Sequence, residues 1–357
     1  MPSFTISNLL RRPKHGQAWA EMKDWLQKQW QVRSPWQWLL LPLSCIFMGL
    51  AALRKAMFRL GLLKSSRLSV PLIVVGNISL GGTGKTPLVI YLAQQLQAAG
   101  LKPGVISRGY GGKQQTATPV YADSNPSLVG DEPVLIAQRT ACPVFVGNNK
   151  VQLGQALLQA NPQCNVIISD DGLQHYALQR DVEIATVDAT RPFGNFRLLP
   201  AGPLREKVAK LKQVDAVVLS GRQSGELTGV ALSHCFTMTL HGDLFYSLDR
   251  SQAPRSAKEF QNKNTVAIAG IGKPQRYFDQ LTALGLQFEA RAYPDHHAFS
   301  AADFAQLAGK TILMTEKDAV KCAAFSGLDA WYLPVTASVS SSADLDFISF
   351  ILQKLRS

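Results

Sequence analysis

Leu72-Ile-Val-Val-Gly-Asn-Ile-Ser-Leu-Gly-Gly-Thr-Gly-Lys-Thr86 is the stretch on which the fold of this 357-residue chain depends. Four apolar residues lead into a glycine-rich turn, and the turn leads into a predicted helix from Lys85 to about Ala99. This order of strand, loop and helix is the context of a phosphate-binding P-loop. The loop amides can point at phosphate oxygens, Lys85 can reach the β- and γ-phosphates, and Thr86 can offer its hydroxyl to Mg²⁺. The alternative is a turn that binds nothing, but a plain turn has no need of the Lys-Thr pair.

One position departs from the P-loop pattern. The pattern begins with Gly, where this chain has Ser79. The Gly-Lys-Thr core and its context of strand and helix are intact, so we predict that the loop binds ATP. The predicted ATP-binding residues are Ser79, Leu80, Gly81, Gly82, Thr83, Gly84, Lys85 and Thr86.

Short apolar runs alternate with helical patterns around and after the P-loop. This alternation is typical of a layered α/β domain with a mainly parallel sheet, in which ligands bind at the carboxyl ends of the strands. The predicted strands are Ile73–Val75, Val105–Ser107, Val144–Val146, Val166–Ser169, Ile184–Val187 and Ala216–Leu219. The predicted helices are Lys85–Ala99, Glu132–Arg139, Lys150–Ala160 and Leu204–Lys212.

The patterns divide the chain into four parts. Residues 1–70 are a basic, Trp-rich helical segment expected at a membrane interface, and residues 71–232 are a P-loop NTPase-like α/β domain. Residues 233–248 are a predicted connector of two strands, and residues 249–357 a second, smaller α/β domain. The Gly-Lys of that second domain has no Ser/Thr after it, so it is not a second P-loop.

Positive charge is concentrated near the N-terminus. Residues 1–70 carry eleven Lys/Arg and two acidic residues, which is +9 of the formal net charge of +12. A basic segment on a nearly neutral body indicates contact with an anionic surface. The tryptophans of this segment lie among apolar residues, which argues against a nucleic-acid partner. The five cysteines are odd in number and include no Cys-x-x-Cys pair, so we expect a reducing compartment and no structural zinc.

Residues 34–53 form an uncharged run of 20 residues, which is just long enough to span a bilayer. Pro35 and Pro42 divide the run, and basic residues flank both ends. Tryptophan with Lys/Arg around an apolar helix is typical of a segment that lies at the membrane interface. We favour an interfacial anchor, with a true span and a helix packed on the protein's own core as the alternatives. The body would then sit on the cytoplasmic side, where nucleotide is found.

The second motif, Asp170-Asp-Gly-Leu-Gln-His175, follows an apolar strand. An apolar strand that ends in an acid is the Walker B arrangement, which places a carboxylate near the metal ion. Adjacent side chains on an extended strand point different ways, so only one of Asp170 and Asp171 is expected to face the metal directly. The alternative is an exposed Asp-Asp-Gly turn.

Three more stretches place charged residues beside glycines or at predicted helix starts. In Ser107-Arg-Gly-Tyr-Gly111, Arg108 is either an anion-binding residue or part of a surface turn. Gly130-Asp-Glu-Pro133 opens a helix, so Asp131 is either a cap or a functional residue. Leu199-Pro-Ala-Gly-Pro-Leu-Arg-Glu206 places Arg205 in a predicted first turn, where the helix dipole opposes it unless a phosphate binds there.

Tyr293-Pro-Asp-His-His297 lies in a predicted loop after a strand. Adjacent Asp and His in a loop suggest proton handling, and a His-rich turn is the alternative. A metal site fits less well, because two consecutive His do not easily point at one ion and no third ligand is near in sequence. Thr315-Glu-Lys-Asp-Ala-Val-Lys321 is a charged junction of strand and helix, either a cap or part of the site.

Seven motifs in this order resemble the tetraacyldisaccharide 4′-kinases of lipid A synthesis, over roughly residues 70–321. The motifs are Gly76–Pro87, Ser107–Gly111, Gly130–Pro133, Asp170–His175, Leu199–Glu206, Asp295–His296 and Thr315–Lys321. The resemblance implies an ATP-dependent, Mg²⁺-requiring kinase of lipopolysaccharide synthesis at the cytoplasmic face of a Gram-negative inner membrane. Its substrate would be the 4′-hydroxyl of tetraacyldisaccharide 1-phosphate, and no obligatory protein partner is expected. It also implies two α/β/α domains with the active site in the cleft between them.

The resemblance also implies roles for single residues. Asp131 matches the family's proposed acid-base residue, His296 its partner, and Lys85 the catalytic phosphate-binding lysine. Thr86 and one of Asp170 and Asp171 serve the metal. The implied cleft positions are Arg108, Tyr110, Glu132, Lys150, Gln174, His175, Arg205 and Glu206. The family is expected to have Arg where this chain has Lys150, which cannot make a bidentate phosphate contact; a lysine early in a helix is otherwise usually a solvated charge.

Asp131 and His296 lie in different halves of the chain, so we expect domain closure to assemble the pair. Two other functions would use the same P-loop. A membrane-associated P-loop ATPase acting on a protein partner would hydrolyse ATP in response to protein rather than lipid. A membrane-bound nucleotide-sensing adaptor would bind nucleotide without turnover.

Overall fold

The computed structural model describes residues 29–30, 35–190, 192–221, 234–341 and 345–356. Residues 1–28 and 31–34 lie outside this part of the chain, so the expectations for the basic side chains and tryptophans among them stay predictions. The described chain forms two sheets with helices on their faces. The strands are β1 Leu72–Gly76, β2 Pro103–Ser107, β3 Thr118–Val120, β4 Val144–Val146, β5 Val166–Asp170, β6 Val182–Asp188, β7 Ala216–Ser220, β8 Cys235–His241, β9 Leu244–Ser247, β10 Arg255–Ser256, β11 Thr265–Ala269, β12 Glu289–Ala292, β13 Thr311–Thr315, β14 Ala330–Leu333 and β15 Thr336–Ser341.

Nine helices accompany these strands in the described residues, besides two short 3₁₀ turns. They are α1 Trp36–Arg59, α2 Lys85–Ala98, α3 Pro126–Val129, α4 Asp131–Thr140, α5 Lys150–Ala160, α6 Pro274–Ala283, α7 Ala301–Ala305, α8 Glu316–Cys322 and α9 Phe347–Arg356. The six strands predicted before residue 232 are therefore present, as are three of the four predicted helices.

The large sheet has the strand order β15-β8-β7-β6-β1-β5-β2-β4-β3, and only its outer strands β15 and β3 run antiparallel to their neighbours. β1 lies between β5 and β6, with Val75 beside Asp170 and Gly76 beside Ala185. The P-loop therefore leaves the sheet next to the strand that ends in the predicted metal carboxylate. This is the carboxyl edge, where ligands of parallel sheets bind.

Alternate residues of β1 bury on opposite faces of the large sheet. Ile73 and Val75 pack in one core with α2, α4 and α9, whereas Leu72 and Val74 pack in a second core with α5. The side chains of a strand alternate between the two faces, so both must be apolar when helices cover both. The smaller sheet, ordered β10-β9-β14-β13-β11-β12, has the same layering, with α6 on one face and α7 and α8 on the other. The predicted α/β fold class is confirmed.

The chain returns to the large sheet near its C-terminus. β15 pairs with β8, and Phe347 and Phe350 of α9 pack against Phe236. Residues 336–356 thus leave the smaller sheet, although the sequence assigned them to the second domain. The two predicted connector strands also part, since β8 belongs to the large sheet and β9 to the smaller one. The long-range pairing of β15 has no local sequence signal.

The helix predicted at Leu204–Lys212 is wrong. Only Val208–Lys212 turns, as a 3₁₀ helix. Leu204 forms a bridge with Ser79, and the Arg205 N–H donates to the carbonyl of Ile78 at 2.7 Å. The segment is extended because its backbone is bonded to the P-loop, so Arg205 does not lie in a helix start and the dipole argument does not apply.

Helix α1 is long and apolar, and only 6% of the 18 residues in its most apolar stretch are buried in the protein. Its length and composition suffice to cross a membrane. Pro42 lies inside the helix without ending it, contrary to the division expected there. Ser44 is buried where α1 meets the rest of the protein, and its hydroxyl donates to the carbonyl of Leu198 at 3.0 Å. The exposed apolar side chains are Trp38, Leu39, Leu43, Ile46, Leu50 and Leu53. A core helix would bury them, so that alternative is wrong.

Candidate active site

The P-loop connects β1 to α2, and Gly84 is the N-cap of α2 with a φ of +85°. This left-handed conformation favours glycine, and a Cβ here would lie 2.7 Å from Ser220 Oγ. Thr83 Oγ1 is 2.7 Å from Thr186 Oγ1, and the Leu80 N–H donates to the carbonyl of Pro203 at 2.8 Å. The neighbouring segments therefore hold the loop in place. Thr86 is buried in the first turn of α2.

Lys85 and Asp171 form an ion pair at the mouth of the loop, with Nζ 3.7 Å from Oδ1. Arg205 donates from Nη1 to both oxygens of Asp171, at 3.1 and 3.0 Å. Burial alone would raise the pKa of Asp171, but the charges of Lys85 and Arg205 outweigh burial and hold the pKa at about 2. This carboxylate is ionised at neutral pH and joins the P-loop to the segment at residues 199–206.

Asp170 ends β5 and is buried. Its Oδ2 accepts from the Ser107 hydroxyl at 3.0 Å, whereas Oδ1 has no hydrogen-bond partner within the described chain. Burial, and next the charge of Glu132, raises the pKa of Asp170 to about 6. A buried carboxylate oxygen without a partner is costly, and a cation would satisfy it.

Lys150 is buried rather than solvated at the start of α5. Its ammonium donates to Ser169 Oγ at 2.9 Å and to the carbonyl of Asp170. Burial lowers the pKa of Lys150 to about 8, although Asp170 and Asp171 oppose the shift. The side chain therefore supports the end of β5 from inside the protein.

Asp131 and His296 meet across the two sheets. Nδ1 of His296 donates to the Asp131 carboxylate, 3.1 Å from Oδ1 and 3.0 Å from Oδ2. Asp131 is buried as the first residue of α4, whose N-cap is Gly130. Burial favours the neutral acid, but the His296 hydrogen bond and the charge of Lys317 outweigh it, so the pKa of Asp131 is lowered. A carboxylate beside an imidazole can accept a proton from a hydroxyl group.

His296 is fixed in a turn with a φ of +60°. Its N–H donates to the carbonyl of Gly270 at 3.2 Å, and its ring lies 5.0 Å from that of Tyr110. The same turn approaches the P-loop, because a Cβ on Gly272 would lie 3.5 Å from the Gly82 nitrogen and 3.3 Å from Asp295 Oδ2. The Asp131–His296 pair and the P-loop thus border one space.

The remaining predicted positions lie in different surroundings. Gln174 donates to Glu206 Oε1 at 2.8 Å and to the carbonyl of Asn77 at 3.2 Å, so both support the base of the P-loop. Burial, and then the charge of Lys150, lowers the pKa of His175 to about 4, so this imidazole is neutral at pH 7. Arg108 and Tyr110 are exposed at the rim. Glu132 accepts from Lys317 at 2.8 Å.

Two functional candidates were absent from the predicted set. Lys317 at the start of α8 lies 3.9 Å from Asp131 Oδ2, 2.8 Å from Glu132 Oε1 and 3.6 Å from Asp295 Oδ1. The sequence showed only that the junction at Thr315–Lys321 is charged. Asp188 is the second candidate, a buried acid at the end of β6. A strand ending in an acid, the signal that revealed Asp170, also marks it.

Asp188 connects the two sheets. It pairs with Lys273, and Arg276 Nη2 lies 2.9 Å from its Oδ1. Both cations come from the strand–loop–helix of the smaller sheet that lacks the P-loop pattern. Burial lowers the pKa of Lys273 to about 8, and the charge of Arg276 adds to the shift. Across the described residues, no group of three or more His, Cys, Asp or Glu side chains is arranged to hold a metal ion.

Comparisons with known proteins show the family of this chain. The model of the family described as tetraacyldisaccharide-1-P 4′-kinase matches residues 36–356. A tetraacyldisaccharide 4′-kinase of Methylobacillus flagellatus is 49% identical over 315 residues, covering 88% of this chain and 92% of that protein. One from Azoarcus sp. is 50% identical over 314 residues, with coverages of 88% and 92%. The crystal structure of an apo-form LpxK from Aquifex aeolicus in complex with ATP superposes with a TM-score of 0.74 at 28% identity, covering 89% of this chain and 99% of that one. The chain therefore belongs to the tetraacyldisaccharide 4′-kinase family.

Proposed function

We propose that this protein is an ATP-dependent lipid kinase that transfers the γ-phosphate of ATP to the 4′-hydroxyl of tetraacyldisaccharide 1-phosphate in lipid A synthesis. The observation that carries the proposal is the Asp131–His296 pair, which borders the same space as the P-loop. A P-loop alone fits many NTPases. A buried carboxylate–imidazole pair beside the P-loop suits transfer to a hydroxyl acceptor, because the carboxylate can accept the proton of the attacking hydroxyl.

Each residue then has a separate task. The P-loop amides and Lys85 hold the phosphates, and Asp131 accepts the proton of the attacking hydroxyl while His296 fixes the orientation of its carboxylate. Asp171, which accepts from Arg205, holds Lys85 at the loop. The phosphates of ATP would take over this ammonium from Asp171. The Asp131–His296 hydrogen bond is already formed in this structure, and the expected role of domain closure stays a prediction.

We propose that Mg²⁺ accompanies ATP. Mg²⁺ usually needs only one or two protein ligands besides phosphate oxygens and water, so the lack of a larger acidic cluster in the described chain is compatible with it. The unpartnered Oδ1 of Asp170 and the hydroxyl of Thr86 would hold it. Asp171 is engaged by two cations, so Asp170 is the better direct ligand of the two. When bound, Mg²⁺ neutralises charge on the β- and γ-phosphates.

We also propose that α1 docks the protein on the cytoplasmic face of the inner membrane. The exposed apolar side chains of α1 and the basic residues around it match an interfacial or spanning segment. The lipid substrate would reach the site from that surface. Flotation with vesicles of phosphatidylethanolamine and phosphatidylglycerol tests this. Replacing Leu43, Ile46 and Leu50 with Ser should abolish flotation if the helix docks there, and unchanged flotation would refute the docking.

The test of the function is transfer of labelled γ-phosphate from ATP to purified tetraacyldisaccharide 1-phosphate in detergent. Wild type should label the lipid, and Lys85→Ala and Asp131→Asn should each lose at least about 100-fold in kcat/KM. Lys310→Met is a matched control, because Lys310 pairs with Glu289 at the opposite end of β13 from Lys317. ATP hydrolysis without labelled lipid would favour the protein-directed ATPase instead, and nucleotide binding without either would favour the adaptor.

A further inference from the structure

Lys317 lies where the two sheets approach each other. Its ammonium reaches Asp131 and Glu132 on α4 and Asp295 in the loop after β12, at 3.9, 2.8 and 3.6 Å. Only 16% of its side chain is exposed. We propose that Lys317 is a positioning residue for phosphoryl transfer, which keeps the Asp131 carboxylate ionised and aligned with His296. The proposal rests on the proposed function, because it assigns to Lys317 a task in that same reaction.

Lys317 stays charged in spite of its burial. Burial alone would lower the pKa of its ammonium, but Glu132, Asp131 and Asp295 outweigh burial and raise the pKa. A desolvated lysine is costly to the fold unless several acids pair with it. Three acids around one ammonium meet that requirement. They also mean that removing the ammonium would leave the acids facing one another.

The backbone fixes the place of Lys317. Thr315 caps α8 by accepting from the Asp318 N–H at 3.1 Å, so Lys317 lies in the first turn. One residue before it, Glu316 accepts two bonds from Arg139 Nη1 at the far end of α4, at 2.9 and 3.0 Å. These bonds help to orient α8 against α4, and the ammonium lies at the end of α4 that carries Asp131 and Glu132.

Lys317 is the lysine that pairs with the Asp131 carboxylate. Helix α4 contributes Glu132, and the loop after β12 contributes Asp295 and His296. Helix α8 contributes Lys321 besides Lys317, but Lys321 is paired with Asp318 at 2.7 Å and also donates to the carbonyl of Gly270. Without Lys317, the His296 hydrogen bond and the charge of Lys321 would be left to offset burial and the two neighbouring acids at Asp131. Like charges favour the protonated acid, and a protonated Asp131 cannot accept the hydroxyl proton.

The experiment compares Lys317→Met and Lys317→Arg with wild type and the Lys310→Met control, measuring kcat, the KM for ATP and the dependence of kcat on pH from 4.5 to 8.5. We expect kcat of Lys317→Met to fall about 100-fold at pH 7 with the KM for ATP within about twofold, because Asp131 loses its alignment with His296. The acid limb of its profile should also move up by about 1–2 pH units, since Asp131 loses its nearest lysine. Lys317→Arg should recover kcat to within about tenfold and return the limb toward that of wild type.

A double variant separates this role from a structural one. In an Asp131→Asn background no carboxylate remains to be held ionised, so Lys317→Met should cost less than about twofold more in kcat. A loss that multiplies in the double variant, or a fall in kcat with an unmoved acid limb, would overturn the proposal, and so would wild-type kinetics of Lys317→Met. If Lys317→Met does not fold, Lys317→Gln, which removes the charge but keeps a polar side chain between the acids, and its Asp131→Asn combination decide in the same way. Failure of the wild type itself to label the lipid would refute the kinase instead.

Discussion

His296 and His297 are neighbours in sequence, but their rings contact different carboxylates. Nδ1 of His296 is 3.0 Å from Asp131 Oδ2, whereas Nε2 of His297 is 3.4 Å from Asp303 Oδ2. We expect His296→Ala to lower kcat about 100-fold and to change the KM for ATP by less than about threefold, because the P-loop binds the phosphates. His297→Ala is the control and should keep kcat within about threefold. Steady-state kinetics that show equal losses in turnover and ATP binding for His296→Ala would contradict the pairing.

Asp171 gives a pH-dependent prediction. Lys85 and Arg205 overcome the effect of burial and lower its pKa from 3.8 to about 2. Because the folded pKa is the lower one, the ionised carboxylate stabilises the fold above about pH 4, and this contribution is lost as the pH falls toward 2. Asp171→Asn should therefore lower the free energy of unfolding at pH 7 by on the order of 2 kcal/mol. Urea unfolding from pH 7 to pH 3 measures it, and a difference from wild type that stays constant below pH 4 would exclude this origin.

At the residue scale, the sequence reveals a functional residue when the pattern that marks it lies in the adjacent residues. Asp170 follows a predicted strand and Lys85 follows a glycine-rich turn, so both could be predicted. Lys317 could be placed only in a charged junction, because its task depends on α8 packing against α4. Lys150 was expected at the cleft only through the family resemblance, and otherwise in solvent, since nothing in the sequence reveals that the start of α5 faces the end of β5.

Helices and strands can likewise be predicted where neighbouring residues determine them, but not where long-range contacts do. The first turn of α2 was predictable because the strand, the glycines and the helix are adjacent in the chain. The segment at Leu204–Lys212 has a helical pattern, but it is extended at Leu204 because long-range backbone bonds to the P-loop outweigh helix propensity. Likewise, β15 belongs to the large sheet because β8, nearly a hundred residues earlier in the sequence, offers a free edge there.

Two glycines with similar backbone angles test the junction of P-loop and α2. Gly84 has a φ of +85° and Gly100 a φ of +82°, but a Cβ would lie 2.7 Å from Ser220 Oγ at Gly84 and would meet nothing within 4 Å at Gly100. Gly100→Ala should lower the free energy of unfolding by about 1 kcal/mol, through the left-handed conformation alone. Gly84→Ala should lower it by about 3 kcal/mol and weaken ATP binding, because the added contact displaces the loop. Urea unfolding and ATP titration measure these effects, and equal destabilisation by the two variants would show that the close contact is unimportant.

At the scale of the whole molecule, three polar contacts join the two sheets around the site. Asp188 binds Lys273 and Arg276, Asp131 binds His296, and Lys317 joins α8 to α4. Each contact places a charged group of one sheet within reach of the other, so the site exists only when both sheets are in place. The sequence shows charged residues in both parts of the chain, but only the tertiary fold reveals which of them pair. The Asp131–His296 pair could be predicted only through a family resemblance.

The ion pair between Arg139 of α4 and Glu316 of α8 joins the two sheets. Variants of this pair measure how much the contact between the sheets stabilises the site. Arg139 Nη1 donates to both oxygens of Glu316, and Nη2 lies 3.3 Å from Thr336 Oγ1, where the chain returns to the large sheet. Burial raises the pKa of Glu316 even though Arg139 opposes the shift, so losing Arg139 leaves a poorly solvated carboxyl group. Arg139→Met should therefore lower the free energy of unfolding by about 3 kcal/mol, and adding Glu316→Gln should cost much less than the sum of the two single changes.

The same pair of variants connects stability with turnover. Helix α4 carries Arg139 at one end and Asp131 at the other, and Lys317 follows Glu316 directly. Loss of the contact between α4 and α8 should displace Lys317 and His296 from Asp131. Arg139→Met should therefore lower kcat about tenfold with little change in the KM for ATP. Urea unfolding and steady-state kinetics on the two single variants and the double variant form the complete cycle. Strictly additive unfolding free energies together with an unchanged kcat would mean that the Arg139–Glu316 pair does not stabilise the contact between the sheets. Other contacts would then hold Asp131 and His296 together.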